Sequence, residues 1–197
     1  LGEGGHALMV GVGGSGKQSL SRLSAFICTY DVKQIVISAA YSMNDFKEDL
    51  KWMYNRAGVK ESGVLFLITD SQIVDEKFLI YMNDLLATGN IPDLFTNEEK
   101  DGICGVMEPR VKAAGMDFED HHVCWEFFIT IIRKNLHVSL CFSPVSEDFK
   151  TRASRFPALV NCTVIDWFQP WPKQALFAVG QKFMNEVEIK SDGVRGA

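Results

Sequence analysis

The sequence has no C-x-x-C pair. Its five cysteines, Cys28, Cys104, Cys124, Cys141 and Cys162, are scattered and odd in number. That excludes the usual zinc-ribbon and dithiol redox frameworks and leaves buried, reduced thiols of an intracellular protein as the reading. No apolar run approaches the ~20 residues that a spanning helix needs. Val64–Ile68 and Phe127–Ile132 are typical of the longest. No signal peptide is visible, so a soluble protein with no membrane partner is expected. Positive charge is not in excess: 20 Lys and Arg stand against 25 Asp and Glu, a formal net charge of −5. A general nucleic-acid binder needs the opposite balance. There is no internal repeat and no low-complexity tract, which removes solenoid arrays from consideration.

What is present suits a packed interior. Hydrophobic residues make up 47% and charged residues 23% of 197 positions, enough for one domain or slightly more. The chain opens at Leu1 and meets a glycine-rich stretch by Gly11; it closes on KSDGVRGA, polar and Gly-containing, which reads as disordered. A piece of something larger is expected from these two ends.

Apolar runs alternate with helical periodicity. Strands are expected at His6–Gly11, Gln34–Ser38, Gly63–Asp70, Leu136–Ser143 and Cys162–Asp166. Gly63–Asp70 is apolar nearly throughout and so central. Helices are expected at Lys17–Tyr30, with Leu20, Leu23, Phe26 and Ile27 on one face, and from Ser42 to about Ala57, stopped by Gly58. Others run Asp75–Thr88, closed by Gly89, then Asn97–Ala114, Cys124–Asn135, Ser146 to about Arg155, and onward from Pro172. Thr96 and Glu99 form a capping-box pattern. Strands joined by helices imply an α/β fold with a mostly parallel sheet, whose ligands bind beyond the carboxyl ends of the strands.

The stretch GVGGSGKQSL, Gly11 to Leu20, lies at such an end. It matches the phosphate-loop pattern G-x-x-x-x-G-K at Gly11, Gly16 and Lys17. Gly11, Gly13, Gly14 and Gly16 would let backbone N–H groups wrap phosphate oxygens, and the following helix adds its positive end. Val12 and Ser15 complete the loop. Lys17 supplies a full charge. A plain glycine-rich turn is the alternative. The position that normally carries a Mg²⁺-binding hydroxyl holds Gln18, whose amide oxygen is a hard but longer ligand. Ser19 is one step further round the helix. Asp70 ends the central strand where a second metal carboxylate belongs, though a strand-ending Asp that caps a turn reads the same way. Ser71 follows it, and a serine hydroxyl is a poor general base. Asp75 and Glu76 are acidic but several residues away.

Three segments together carry a family resemblance: GVGGSGKQSLSRL, FLITDSQIVDEKFLIYMNDLLATGNIPDLF and RFPALVNCTVIDWFQPWP. They resemble a dynein heavy chain, more narrowly the fourth AAA+ module of its motor ring in axonemal versions, where Gln after the loop lysine is usual. The resemblance covers nearly the whole chain. It implies a P-loop AAA+ large α/β subdomain at 1–169, five strands in the order 5-1-4-3-2, and the start of a small helical subdomain at 170–197. It implies ATP or ADP with Mg²⁺ as ligands, and neighbouring AAA+ modules of the same heavy chain and the dynein complex as partners. Microtubules would be reached through a stalk this chain does not contain. The implied place is cytoskeletal, in the cytoplasm or the axoneme of a cilium or flagellum.

Residue by residue, the resemblance assigns Gly11, Gly16 and Lys17 to the first Walker motif and Asp70 to the second, with Ser143 at the first sensor, commonly Asn. Ser71 stands where a catalytic Glu is expected. Cys162 falls where an arginine finger is expected, with Arg152 and Arg155 nearby but not aligned to it. The reading is a nucleotide-binding, regulatory or structural module with slow or no hydrolysis, and no catalytic residue is assigned. An active ATPase and a purely structural ring segment are the alternatives; a nucleotide kinase lacks an Arg-rich lid. Elsewhere, His121 and His122 with Asp117, Glu119 and Asp120 read as a solvated loop rather than a metal site. Trp125, Phe127 and Phe128 read as core or an inter-module contact. Trp167, Phe168 and Trp171 read as packing between subdomains.

Overall fold

The computed structural model describes residue 2 and residues 4–145 and 147–186. Five strands form one sheet: β1 Ala7–Gly11, β2 Asp31–Gln34, β3 Val64–Thr69, β4 Leu136–Phe142 and β5 Val164–Phe168. Their order is β2-β3-β4-β1-β5 and every pairing is parallel, which is the expected order read from the other edge. Parallel neighbours need a crossover, and helices supply it. The helices are α1 Lys17–Ile27, α2 Met43–Tyr54, α3 Lys77–Thr88, α4 Asn97–Ala113, α5 His121–Asn135, α6 Glu147–Arg155, α7 Ala158–Asn161 and α8 Lys173–Glu186. The three inner strands are buried at every position, as a sheet covered on both faces requires.

Several expected boundaries move, each for a local reason. The second strand lies at Asp31–Gln34 rather than Gln34–Ser38. Asp31 to Gln34 pair with Val64 to Leu67; beyond them, the Ile35 carbonyl accepts the Gln72 side chain instead of a strand neighbour, and the ladder stops. The fifth strand runs two residues later than expected because Val164 pairs with Ala7 and Phe168 with Gly11. The short helix α7 was not foreseen.

Gly58 does not stop its helix. The chain continues past Tyr54 as a π-helical turn, Asn55–Val59. Gly58 is needed there for close approach: a Cβ would sit 2.2 Å from a Phe128 ring carbon and 2.7 Å from Ile132. Helix α5 begins at His121, with Asp120 capping the His122 N–H, so the histidine pair opens a helix rather than sitting in a loop.

Helix α1 departs furthest from its pattern. Its buried side is Lys17, Ser21 and Ala25, while Leu20, Leu23, Phe26 and Ile27 face outward, Phe26 at 80% exposure. Small residues let the helix sit close to the sheet, where the Ser21 and Ser139 hydroxyls meet at 2.8 Å. The expected cap at Ser146 and the tail at 190–197 lie outside the described residues.

The main core fills the space between β3, β4 and the helices α2, α3, α4 and α5. Phe46 stacks on Phe78 at 4.2 Å between ring centroids. The buried Tyr54 hydroxyl donates to the Gly89 carbonyl at 2.6 Å, so it is satisfied rather than stranded. Phe128 belongs to this core, with Trp125 packed against it. Among the described residues no helix is long and apolar enough to cross a membrane.

Candidate nucleotide site

A hollow of about 420 Å³ opens at the carboxyl ends of β1, β3 and β4. That is the size range of small-molecule sites and the place where parallel α/β sheets bind their ligands. One wall is the loop between β1 and α1, from Gly13, Gly14, Ser15 and Gly16 to Lys17, Gln18 and Ser19. The other is made of Thr69 at the end of β3, Asp70 and Ser71 in the turn that follows, Cys141 of β4 and Ser143 just past it. The structure therefore gathers every expected site residue around this hollow except Gly11 and Val12, which do not line it.

The loop folds this way because its glycines permit it. Gly14 and Gly16 hold φ of 74° and 91°, a left-handed region that costs most other residues about 1–2 kcal/mol. Gly16 then caps α1. Lys17 is buried, and its Nζ donates to the Gly11 carbonyl at 2.6 Å, the Val12 carbonyl at 2.8 Å and Ser15 Oγ at 3.2 Å. Gly11 and Val12 thus hold the lysine rather than face the ligand. A phosphate oxygen would compete with those two carbonyls for the ammonium group and, being charged, would bind it more strongly.

Asp70 begins a 3₁₀ turn, Asp70–Gln72. Its Oδ1 accepts the Ser71 N–H at 2.9 Å and its Oδ2 accepts the Ser143 N–H at 3.1 Å. Two backbone donors, one in the turn after β3 and one just past β4, fix the carboxylate at the hollow's edge. Each oxygen keeps a lone pair for a metal or its water, so Asp70 fits a Mg²⁺ ligand. Gln18 fits less readily: its amide oxygen accepts from Gln34 at 3.3 Å, and Gln34 in turn accepts from Arg22. Gln18 would have to release Gln34 to reach an ion.

Among the described residues, the acidic side chains nearest Asp70 are engaged elsewhere, and Ser71 follows it in place of a carboxylate. Ser71 Oγ meets Thr69 Oγ1 at 3.0 Å. Glu76 is engaged by both nearby arginines, Arg152 at 3.1 Å and Arg155 at 3.6 Å. Asp75 caps its own turn through the Lys77 N–H. Cys162 is half-buried against the core.

Three contributors, Thr69, Cys141 and Trp171, escaped the sequence. Cys141 lines the hollow, and burial raises its thiol pKa above the ordinary value. Strand alternation could have found it, since Ser139 and Cys141 fall on one face of β4 and Ser143 continues the same two-residue spacing just past its end. Trp171 lies just after β5 and donates its indole N–H to the Ser15 carbonyl at 3.0 Å; only the path of the chain after Phe168 reveals that contact. The histidine pair is elsewhere: His121 Nδ1 meets Asp101 at 3.0 Å, and among the described residues no cluster of three or more metal-ligating side chains is gathered.

Comparison with known proteins places these residues in context. The family described as "P-loop containing dynein motor region D4" matches residues 2–196. The dynein alpha chain of the flagellar outer arm from Chlamydomonas reinhardtii is 54% identical over 98% of this chain. Dynein axonemal heavy chain 17 of Homo sapiens is 51% identical over 93% of it, and the ciliary dynein beta chain of Heliocidaris crassispina is 47% identical over 98%. In each case the chain spans 4% of the relative's length.

Proposed function

Because the chain belongs to the dynein motor-region D4 family of P-loop domains, we propose that it binds ATP or ADP as a regulatory or structural ligand and hydrolyses it slowly or not at all. The observation that carries this is the convergence, in one hollow, of a glycine loop with its lysine and a doubly anchored Asp70, followed by Ser71 rather than a carboxylate. Backbone N–H groups and Lys17 take the phosphates. Asp70 holds Mg²⁺, with Gln18 as a second ligand once it leaves Gln34. Ser143 orients Asp70 through its backbone.

On this reading the chain is the fourth AAA+ module of an axonemal dynein heavy chain. Residues 1–169 form its large subdomain, and α8 begins the small one. The flagellar, ciliary and axonemal names of its relatives support a place in the axoneme. Neighbouring modules of the same ring would be its first partners, and the outward apolar face of α1 supports such contacts. Through them nucleotide here biases a microtubule motor.

The test is calorimetry with ATP and ADP, with and without Mg²⁺, alongside turnover. Binding without turnover is expected, weakened about 10- to 100-fold in Lys17→Ala for loss of a charge-assisted contact. Turnover that disappears in Lys17→Ala would instead establish an active ATPase. A folded sample that binds neither nucleotide would leave a structural ring segment.

A further inference from the structure

Trp171 touches the loop from outside the hollow and has no role in the reading above. Its indole lies against Gly16, with ring atoms 3.6–4.0 Å from where a Cβ would be. Its Nε1–H donates to the Ser15 carbonyl at 3.0 Å. Pro170 and Pro172 flank it, and α8 starts at Lys173.

The peptide that Trp171 holds is the one that matters for phosphate. In a trans peptide the carbonyl of one residue and the N–H of the next point in opposite directions, and there is no cis bond among the described residues. Anchoring the Ser15 oxygen to the indole therefore turns the Gly16 N–H to the other side. That other side is the hollow, which Gly16 lines and Trp171 does not. The anchor is needed because Gly14 and Gly16 both hold positive φ. A loop with glycine on each side of Ser15 can rotate the Ser15–Gly16 peptide at little steric cost. The neighbouring contact reinforces the first: Phe168, at the end of β5, packs so closely on Gly11 that a Cβ there would lie 2.6 Å from the Phe168 Cβ. One short segment thus braces both ends of the glycine loop.

We propose that Trp171 is a positioning residue for nucleotide. Its indole N–H fixes the Ser15–Gly16 peptide so that the Gly16 N–H faces the phosphate, and it makes nucleotide binding sensitive to the placement of α8. The inference rests on the nucleotide-binding reading. Trp171→Phe keeps the ring against Gly16 and removes only the donor. Losing one hydrogen bond that organises the cradle predicts ADP affinity lower by about three- to tenfold, while the ligand-free melting temperature stays within about 2 °C of wild type. A merely structural contact would lower the melting temperature and leave affinity unchanged among folded molecules.

The measurement pairs ADP calorimetry of wild type and Trp171→Phe with the indole N–H resonance of Trp171 in the wild-type chain. The resonance is expected to shift on adding ADP, and it is assigned in the wild-type chain by through-bond correlation to the Trp171 backbone. Equal affinities in the two folded proteins would overturn the proposal while the nucleotide reading stands. If the variant fails to fold, an indole signal unmoved by saturating ADP in wild type does the same, and a moved one supports it. Absence of ADP binding by wild type would remove both the reading and the proposal.

Discussion

His6 shows how much one buried side chain can set. It is 5% exposed at the amino end of β1, and its Nδ1 accepts the Val138 N–H at 3.1 Å. Burial lowers its pKa from 6.5 to about 4, with smaller contributions from His137 and Arg133. The folded state therefore holds the neutral ring, and the unfolded chain takes up a proton first as pH falls. Stability from this group is complete above pH 6.5 and is lost as pH drops towards 4, by about 3 kcal/mol at most. Denaturant melts between pH 7 and 4 are expected to show that loss, and His6→Gln is expected to flatten the slope over the same range. An unchanged slope in the variant would assign the acid sensitivity to other groups. At the hollow, Lys17 and Asp70 are legible as lining residues because a pattern along the chain marks them, and Ser143 only through the family resemblance. The sequence cannot disclose that Gln18 is occupied by Gln34 or Glu76 by two arginines, because those partners come from elements distant in sequence.

Glycines inside helical elements separate the two things that glycine does. Gly58, in the π-helical turn, has Phe128 and Ile132 where a side chain would go. Gly102, within α4, has no other atom within 4 Å of its would-be Cβ. Gly58→Ala is expected to destabilise the domain by about 1–3 kcal/mol through overpacking. Gly102→Ala is expected to stabilise it by about 0.5–1 kcal/mol, because the unfolded chain loses freedom and nothing is crowded. Urea unfolding of both variants checks the pair; equal effects would contradict the packing of α5 on the turn. The same contrast explains what the sequence could tell about elements. Capping residues such as Ser42 and Thr96 and the apolar runs of β3 and β4 carry local signals, and those elements fell close to where they were expected. The edge strands β2 and β5 moved because pairing partners set their limits. Gly58 was misread as a stop because its reason lies in α5.

For the whole molecule, the question is whether the hollow is coupled to global stability. The β1–α1 loop, the end of β3 and the end of β4 meet there, and all three strands are central and paired through the same sheet. Unfolding cannot proceed far without dispersing that set, so a ligand bound to it favours the native state by mass action. At a free ADP concentration of 100 times its dissociation constant the gain is about 2.7 kcal/mol. For a chain of 197 residues that corresponds to a rise in melting temperature of about 5–10 °C. Lys17→Ala is expected to lose about half to five-sixths of the rise, since 10- to 100-fold weaker binding leaves the same ADP concentration at only about 10 to 1 times its dissociation constant. Differential scanning calorimetry across an ADP series measures both. A rise that grows logarithmically with ADP in wild type, and needs correspondingly more ADP in Lys17→Ala, places the ligand at this loop. A rise identical in the two proteins would place it elsewhere on the molecule. A saturating rise would mean that the unfolded chain also binds, which would uncouple the hollow from the fold that builds it.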